Sequence, residues 1–591
     1  MAAAINPRVA SGITGLFGKP ERADCRLVFV LDPSPPAPQS QPAHGKGGSA
    51  RKRASGARAL QPCGEPLPAH SFVLDYASDK ISVQLEGLEA RGAPAGPAKK
   101  KTRSSAAAEK QLPEVQLVLG SEKELPAALA AVKFAYTGVV EAGSIREVLQ
   151  VRRQAACLQM GGCEQACVAA VKGMLAPGWS SASRGNCAAG GAGTSAGASS
   201  GGGVVTQKAP PPVLELYSCT ELWPDPAEDA AFAALLTEAK LQLVAHFGDA
   251  LAVLNNKELY VQMRALPAVG LEALLESDDF GTDSESSVVL MLAEWMADNH
   301  DSTDEDTRRR LCRQLRLVQC SRVYLSGVLP VLAARYEEDP FDPDAWLPVT
   351  AAEATCLLTY SLVPEAERKA MAGEGQTSGP CGGMEGWPPA WRSAQPRRQC
   401  LPAPAGRSFS FKASLADLEW AFGDLEEADK GFLQLSLGGA LDPHHIVSMG
   451  LEWSFEVTWS PGDAKAGLYS FPQVPSVLHT SEQPSEAVMT LTEKLLCKAV
   501  VALSCMRLSV SGADGQVVLA ETLGPDDFAR VGSGRGWPDA LDLEEPVATN
   551  QPSSSSSSSG GGSGTVARWA PYLQGGTCLI GSVTLLPPSR R

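Results

Sequence analysis

The sequence predicts a multidomain α+β protein in three parts: an α/β domain over residues 20–175, an all-α helical domain over 213–373 and a C-terminal antiparallel β-sandwich over 407–588. Three observations predict it. Apolar residues recur at every second position and then at helical spacing between Leu112 and Val171, at helical spacing alone after Asp229, and at every second position again after Leu433. Segments 176–212 and 374–406, rich in Gly, Ala, Ser and Pro, separate the parts as disordered linkers. The length of 591 residues also exceeds a single core, at roughly 100 to 200 residues per domain.

Two stretches of the first part read as disordered insertions: one near 33–66 carrying Arg51-Lys52-Arg53, and one near 91–110 carrying Lys99-Lys100-Lys101-Thr102-Arg103. Exposed basic runs of this kind serve either as a nuclear-import signal or as plain solvated charge. From Glu114 to Gly120, Val115, Leu117 and Leu119 alternate with Glu114, Gln116 and Val118, as in a half-buried strand. Leu125 to Tyr136 is alanine-rich, tolerates Pro126 in its first turn and meets Thr137-Gly138, the pattern of a helix with a glycine stop. Ser144 caps a second helix with Ile145, Val148, Leu149 and Ala156 on one face. After Gly161-Gly162 a short helix carries Cys163, Cys167 and Val171.

In the middle part, Phe232, Leu235, Leu236, Ala239, Leu243 and Phe247 share helical spacing, and Leu266 to Leu275 makes a short helix. Ser284 to Asn299 sets Val288, Leu292, Trp295 and Met296 on one stripe, and Arg308 to Leu317 follows as another helix. In the last part Leu433, Leu435 and Leu437 alternate with polar neighbours. Trp453, Phe455, Val457 and Trp459 alternate with Glu452, Ser454, Glu456 and Thr458, implying a core face and a solvated face. Gly512-Ala513-Asp514-Gly515 between two strand-like runs signals a hairpin, Thr577 to Leu586 a final strand, and the serine-rich 546–564 a loop inside the sandwich.

Lys133-Phe134-Ala135-Tyr136-Thr137-Gly138, then a helix, then Cys167 is similar to the second half of a BTB/POZ domain. Asp24 to Asp32 resembles that family's opening strand, and Ala69-His70 with Leu74 and Ser78 its Ala-His helix, in which the histidine ring bonds within the domain. Leu271 to Glu285, Trp295 and Arg316 to Cys320 resemble the BACK domain that follows BTB in many adaptors. A β-rich tail behind them resembles the MATH/TRAF-like end of the light-response BTB family.

The net charge of −15 argues against a dedicated nucleic-acid binder and against anionic membranes. No stretch reaches ~20 apolar residues and the N-terminus lacks a basic start with an apolar core, which points to an intracellular protein of nucleus or cytoplasm. The 15 cysteines stand without a CxxC pair or zinc spacing, and Cys157, Cys163 and Cys167 are expected on different faces. Of seven histidines, His444-His445 after Asp442-Pro443 is expected in an exposed loop. With no HExxH, GxSxG or phosphate loop, the reading is of a non-enzyme without cofactor or metal.

The family resemblance implies a substrate adaptor of a cullin-3 ubiquitin ligase that dimerises through BTB, extends its grip on cullin-3 through BACK and captures a target with the sandwich. Leu112 and Glu114 match the hydrophobic-any-Glu pattern of cullin-facing BTB surfaces. The alternative is a scaffold or transcriptional co-regulator that uses BTB only to oligomerise.

Overall fold

The computed structural model describes residues 7–31, 60–92, 112–176, 210–371, 387–426, 429–438, 442–478, 499–502, 505–524, 527–543 and 567–587. It is a mixed α+β chain that divides into two compact units, Met1–Ala239 and Lys240–Arg591. The division falls inside a helix, Ala230–Phe247, and not in the segment 176–212.

The first unit is built around strand β1 (Cys25–Leu31). Its run CRLVFVL is buried on both faces, as expected of a strand covered on each side. The short strands β2 (Gln61–Pro62) and β3 (Leu67–Ala69) pair antiparallel with it, and β4 (Glu114–Leu119) pairs parallel, with Leu27 opposite Val115. In β4 Val115, Leu117 and Leu119 are buried and Glu114, Gln116 and Val118 exposed, which reproduces the sequence alternation. The stretch 33–66 is therefore not wholly an insertion: from residue 60 it joins the sheet, with Cys63 buried. Arg51–Arg53 and Lys99–Arg103 lie outside the described residues.

Helix α1 (Pro7–Thr14), which no sequence pattern announced, rests on α4 (Leu125–Thr137), between them in sequence standing α2 (Ser71–Ala77) and α3 (Asp79–Gly92). Thr14 donates to the Tyr136 carbonyl at 3.2 Å, and Phe17 meets the Tyr136 ring edge-on at 5.5 Å. His70 is fully buried, its Nε2 3.1 Å from the Glu21 carbonyl and its backbone N–H donating to the Tyr136 hydroxyl. Small residues Ala127, Ala128 and Ala131 form the buried face of α4, and Gly138 ends it at φ +64°, a left-handed conformation glycine adopts without strain. Helix α5 (Ile145–Leu158) starts at Ser144, whose hydroxyl accepts from Glu147 N, and packs against α4 and α6 (Cys163–Leu175). On α5 Ala155 is buried and Ala156 exposed, one position away from the expected stripe. Helix α7 (Pro212–Tyr217) lies on α5 and α6, and α8 (Ala230–Phe247) follows.

The second unit continues with α9 (Ala250–Asn255), α10 (Lys257–Arg264), α11 (Ala268–Glu276), α12 (Glu285–Asn299), α13 (Glu305–Cys312), α14 (Leu329–Glu338), α15 (Ala351–Leu362) and α16 (Glu365–Met371). The expected single stripe on α12 is corrected: every residue from Glu285 to Met296 is buried, because neighbours cover the helix on all sides. Part of that cover is the stretch read as a linker. Residues 387–406 carry Trp391, buried with its indole donating to the Cys312 carbonyl at 2.9 Å, and Arg397. The Arg397 side chain is fully buried against Glu285, with Nε 3.0 Å from the carboxylate and Nη1 and Nη2 donating to the Ser277 and Gln314 carbonyls.

Two five-stranded antiparallel sheets follow. In the first, β16 (Cys578–Leu585) lies between β5 (Arg407–Ser414) and β11 (Met506–Ser511), with β12 (Val517–Leu523) outside and β15 (Leu573–Gln574) at one end. In the second, β8 (Leu451–Trp459) pairs with β9 (Lys465–Gln473), beyond which runs β14 (Arg535–Asp542), and with β6 (Gly431–Gln434) and β7 (His445–Ser448). β10 (Val500–Ala502) and β13 (Phe528–Arg530) form a separate pair. The aromatic triad of Phe422 on α17 (Leu415–Phe422), Trp459 on β8 and Trp569 fills one region of the core, with centroids 5.3 to 6.0 Å apart. Gly512–Gln516 closes the β11–β12 hairpin, as its residues suggest. The second face of β8 is not solvated: Ser454 and Thr458 are buried, Glu452 and Glu456 half-buried. His444 and His445 are half-buried rather than looped into solvent, and His445 opens β7.

Candidate functional site

In the first unit α5, α6 and the chain leading from α7 into α8 enclose a cleft of about 650 Å³. Its floor is Arg152, only 6% exposed although arginine is rarely buried without partners. One Nη2 serves two carboxylates, Glu164 at 3.0 Å and Asp229 in closer contact, and the guanidinium lies 5.7 Å from the Phe232 ring centre. Asp229 also accepts from Phe232 N at 2.9 Å and so caps α8, which fixes the helix start and the guanidinium together. The wall is set by Trp223, whose indole donates to the Leu216 carbonyl at 3.1 Å and whose ring meets Tyr217 and Phe232 edge-on.

The rim is acidic. Glu221, Asp225 and Glu228 line it, with Arg153 as a counter-charge. Arg146 pairs with Glu221 at 2.6 Å; that hydrogen bond raises the pKa of the arginine, while the Glu221 carboxyl is lowered by its own backbone N–H and then by Arg146. With Arg152 neutralised by two carboxylates, the net field favours a cationic segment, and Leu222, Trp223 and Val168 supply apolar contact beside it.

Leu112 and Glu114 lie elsewhere in the unit. Leu112 is half-buried, Glu114 is exposed opposite Arg26 at the start of β4, and Arg26 N donates to the intervening Pro113 carbonyl at 2.9 Å. Neither lines the cleft. Sequence reasoning missed Arg152, although its position three residues beyond Leu149 puts a charge on the apolar face of α5 and was the available signal. The cysteines also differ from expectation: Cys163 and Cys167, one turn apart, are both fully buried on one face, and Cys157 is exposed. The hydrogen bond with Cys163, then burial, raises the Cys167 thiol pKa. Among the described residues no group of three His, Cys, Asp or Glu side chains is placed to hold a metal, and no helix is long and apolar enough to cross a membrane.

No protein-family model matches the chain, and no curated protein matches it.

Proposed function

We propose that this chain is a substrate adaptor of a cullin-3 ubiquitin ligase, in which the first unit is a BTB/POZ domain running into the opening helices of BACK. The observation that carries this reading is the acidic cleft, a preformed groove beside α5 and α6 suited to a basic segment of a large partner. An opening strand β1, a later strand β4 and then α4, α5 and α6 follow the element order the family resemblance implies, and β1 and β4 pair parallel. Adaptor chemistry is tethering: ubiquitin transfer accelerates because the target is held at high effective concentration near the loaded enzyme. The sandwich is the capture element, and its exposed aromatics Trp420 and Phe432 are the first candidates for target contact.

The test is binding of the purified full chain to cullin-3. The double reversal Glu221→Lys with Glu228→Lys should weaken it at least about tenfold and flatten its salt dependence. Leu112→Ala with Glu114→Ala should weaken it independently. Wild-type chain that self-associates yet ignores cullin-3 rejects the adaptor reading in favour of the oligomeric scaffold. For capture, Trp420→Ala with Phe432→Ala should remove co-purifying targets while cullin-3 stays bound.

A further inference from the structure

One end of the sandwich is closed by the helices of the second unit. Along the seam between them the turn joining β7 to β8, Ser448 to Leu451, sits in a polar socket. Asn255 at the end of α9 grips the Val447 backbone twice, accepting from its N–H at 2.7 Å and donating to its carbonyl at 2.9 Å. Asp283 accepts from Ser448 Oγ at 3.0 Å and Met449 N at 2.7 Å. Ser287 on α12 accepts from Gly450 N at 3.0 Å, and Tyr324 donates to the Gly450 carbonyl. Strand β8 leaves the socket at Leu451 and runs to its far end, where Thr458 and Trp459 pair with Phe432 and Gly431 of β6. At about 3.4 Å per residue, Thr458 lies about 24 Å along the strand from Leu451.

At that far end two aromatic side chains stand in solvent. α17 stacks on the start of β6 so closely that a Cβ on Gly431 would lie 2.7 Å from the Ala421 carbonyl and 2.6 Å from Phe422 Cδ1. Trp420 precedes this contact on one side and Phe432 follows it on the other, and both are exposed while Phe422 is in the core. A single exposed apolar residue is ordinary, but a tryptophan and a phenylalanine at one junction offer a partner apolar area to bury. The charge about them is mostly of one sign. Asp417, Glu419, Asp424, Glu426 and Asp429 are exposed, against the exposed Lys412 and Lys430, and none of these carboxylates is in an ion pair among the described residues. His444 acts on Asp417 and adds a further cation only when protonated. Such a field repels nucleic acid and anionic membranes. It also repels a second copy, because a two-fold contact would lay the acidic patch on itself. A cationic segment is attracted, and an exposed indole adds cation–π attraction for an arginine or lysine over its face.

We propose that the surface around Trp420 and Phe432 selects targets by a short segment in which an aliphatic or aromatic side chain is flanked by arginine or lysine. This rests on the reading of the sandwich as the capture element and adds the chemistry of what it captures. The apolar side chain packs on the exposed rings, and its basic neighbours meet the carboxylates of α17 and of the chain leading into β6.

The experiment is fluorescence anisotropy at low salt with a labelled Gly-Ser peptide carrying Arg-Leu-Arg. It is titrated with the full chain bearing Glu221→Lys and Glu228→Lys, so that the acidic cleft of the first unit no longer attracts it. Replacing both arginines of the peptide by glutamate, or its leucine by serine, should weaken binding at least about tenfold. Adding Glu419→Lys with Asp424→Lys to the chain should do the same and flatten the salt dependence, and adding Trp420→Ala with Phe432→Ala should abolish binding. Hydrogen-exchange protection of the Met449 and Gly450 amides in the socket checks that each variant is folded. No binding of the Arg-Leu-Arg peptide, equal binding of its glutamate form, or binding indifferent to either pair of changes in the chain overturns the inference. Self-association that is lost with Trp420→Ala and Phe432→Ala makes the surface an interface between copies and overturns it too. Targets that still co-purify with those two changes reject the capture reading itself, whereas targets lost without any preference of the chain for arginine reject only the chemistry proposed for them.

Discussion

Gly450→Ala is the sharpest test of how the second unit is held together. Gly450 has φ +74°, and a Cβ there would lie 2.6 Å from the Ser286 carbonyl and 2.6 Å from Tyr324 Cζ and Oη. The left-handed conformation costs an alanine about 1–2 kcal/mol. Forcing a methyl into a packed site adds about 1–3 kcal/mol, and here the backbone oxygen of a buried helix cannot swing aside as a side-chain tip can. Relief by withdrawing the turn weakens the bonds to Ser287 and Tyr324, about 1 kcal/mol each. Because withdrawing the turn replaces the clash and does not add to it, the total is about 2–5 kcal/mol. Gly532→Ala is the control, because Gly532 has the same φ of +74° with nothing within 4 Å of its Cβ, leaving only the conformational cost. Urea unfolding followed by tryptophan fluorescence reads both, with midpoints compared for the transition of the buried Trp453 and Trp459. If the two variants fall within about 1 kcal/mol of each other, the socket contacts contribute nothing and the reasoning fails.

Arg397→Ala should destabilise the second unit by about 3–5 kcal/mol in the same assay, since it strands Glu285 as a buried charge, whereas Arg397→Met with Glu285→Leu should lose less than the single change. Asp229→Ala removes the cap of α8 and one of two carboxylates on Arg152, and should lower the first unit's stability by about 1–3 kcal/mol by thermal melting. Wild type minus Glu452→Gln, measured against pH, should show stability falling as pH rises from about 4.5 through about 7, because burial raises the Glu452 carboxyl in the folded chain. The difference must be read, because carboxyls such as Asp417, lowered by hydrogen bonds from Ser414, change stability in the opposite sense.

Local elements were legible where a short-range rule decides them. The alternation in β4, the Ser144 cap, the Gly138 stop and the Gly512–Gly515 hairpin all depend on neighbours within a few residues. What escaped depends on long-range cover. Helix α12 carries Glu285, Ser286, Ser287 and Glu294, so its pattern reads as amphipathic, yet each of these polar groups finds a partner on another element and every residue from Glu285 to Met296 is buried. Proline-rich 387–406 has the composition of a linker, but Trp391 and Arg397 are buried anchors, and backbone bonds such as Thr282 N to the Arg398 carbonyl at 2.9 Å tie the stretch to the helices. The cleft escaped because Arg152 and Asp229 meet only after folding.

The same seam changes how the parts of this protein should be separated. Ending the chain at Ala405 would remove the sandwich groups that Asn255, Asp283, Ser287 and Tyr324 bind, while the Glu285–Arg397 pair stays in the chain. Each bond lost to the truncation contributes about 0.5–1.5 kcal/mol, so several together are a sizeable share of a domain's stability. Loss of partners from such a truncation would report a damaged helical layer as readily as a missing capture surface. Surface substitutions avoid the ambiguity: Trp420 is 85% exposed and Phe432 60% exposed, so replacing both leaves the socket intact. If targets are lost with Trp420→Ala and Phe432→Ala while the Met449 and Gly450 amides keep their protection, the capture surface lies on the sandwich. If both change together, the binding surface is the second unit as a whole.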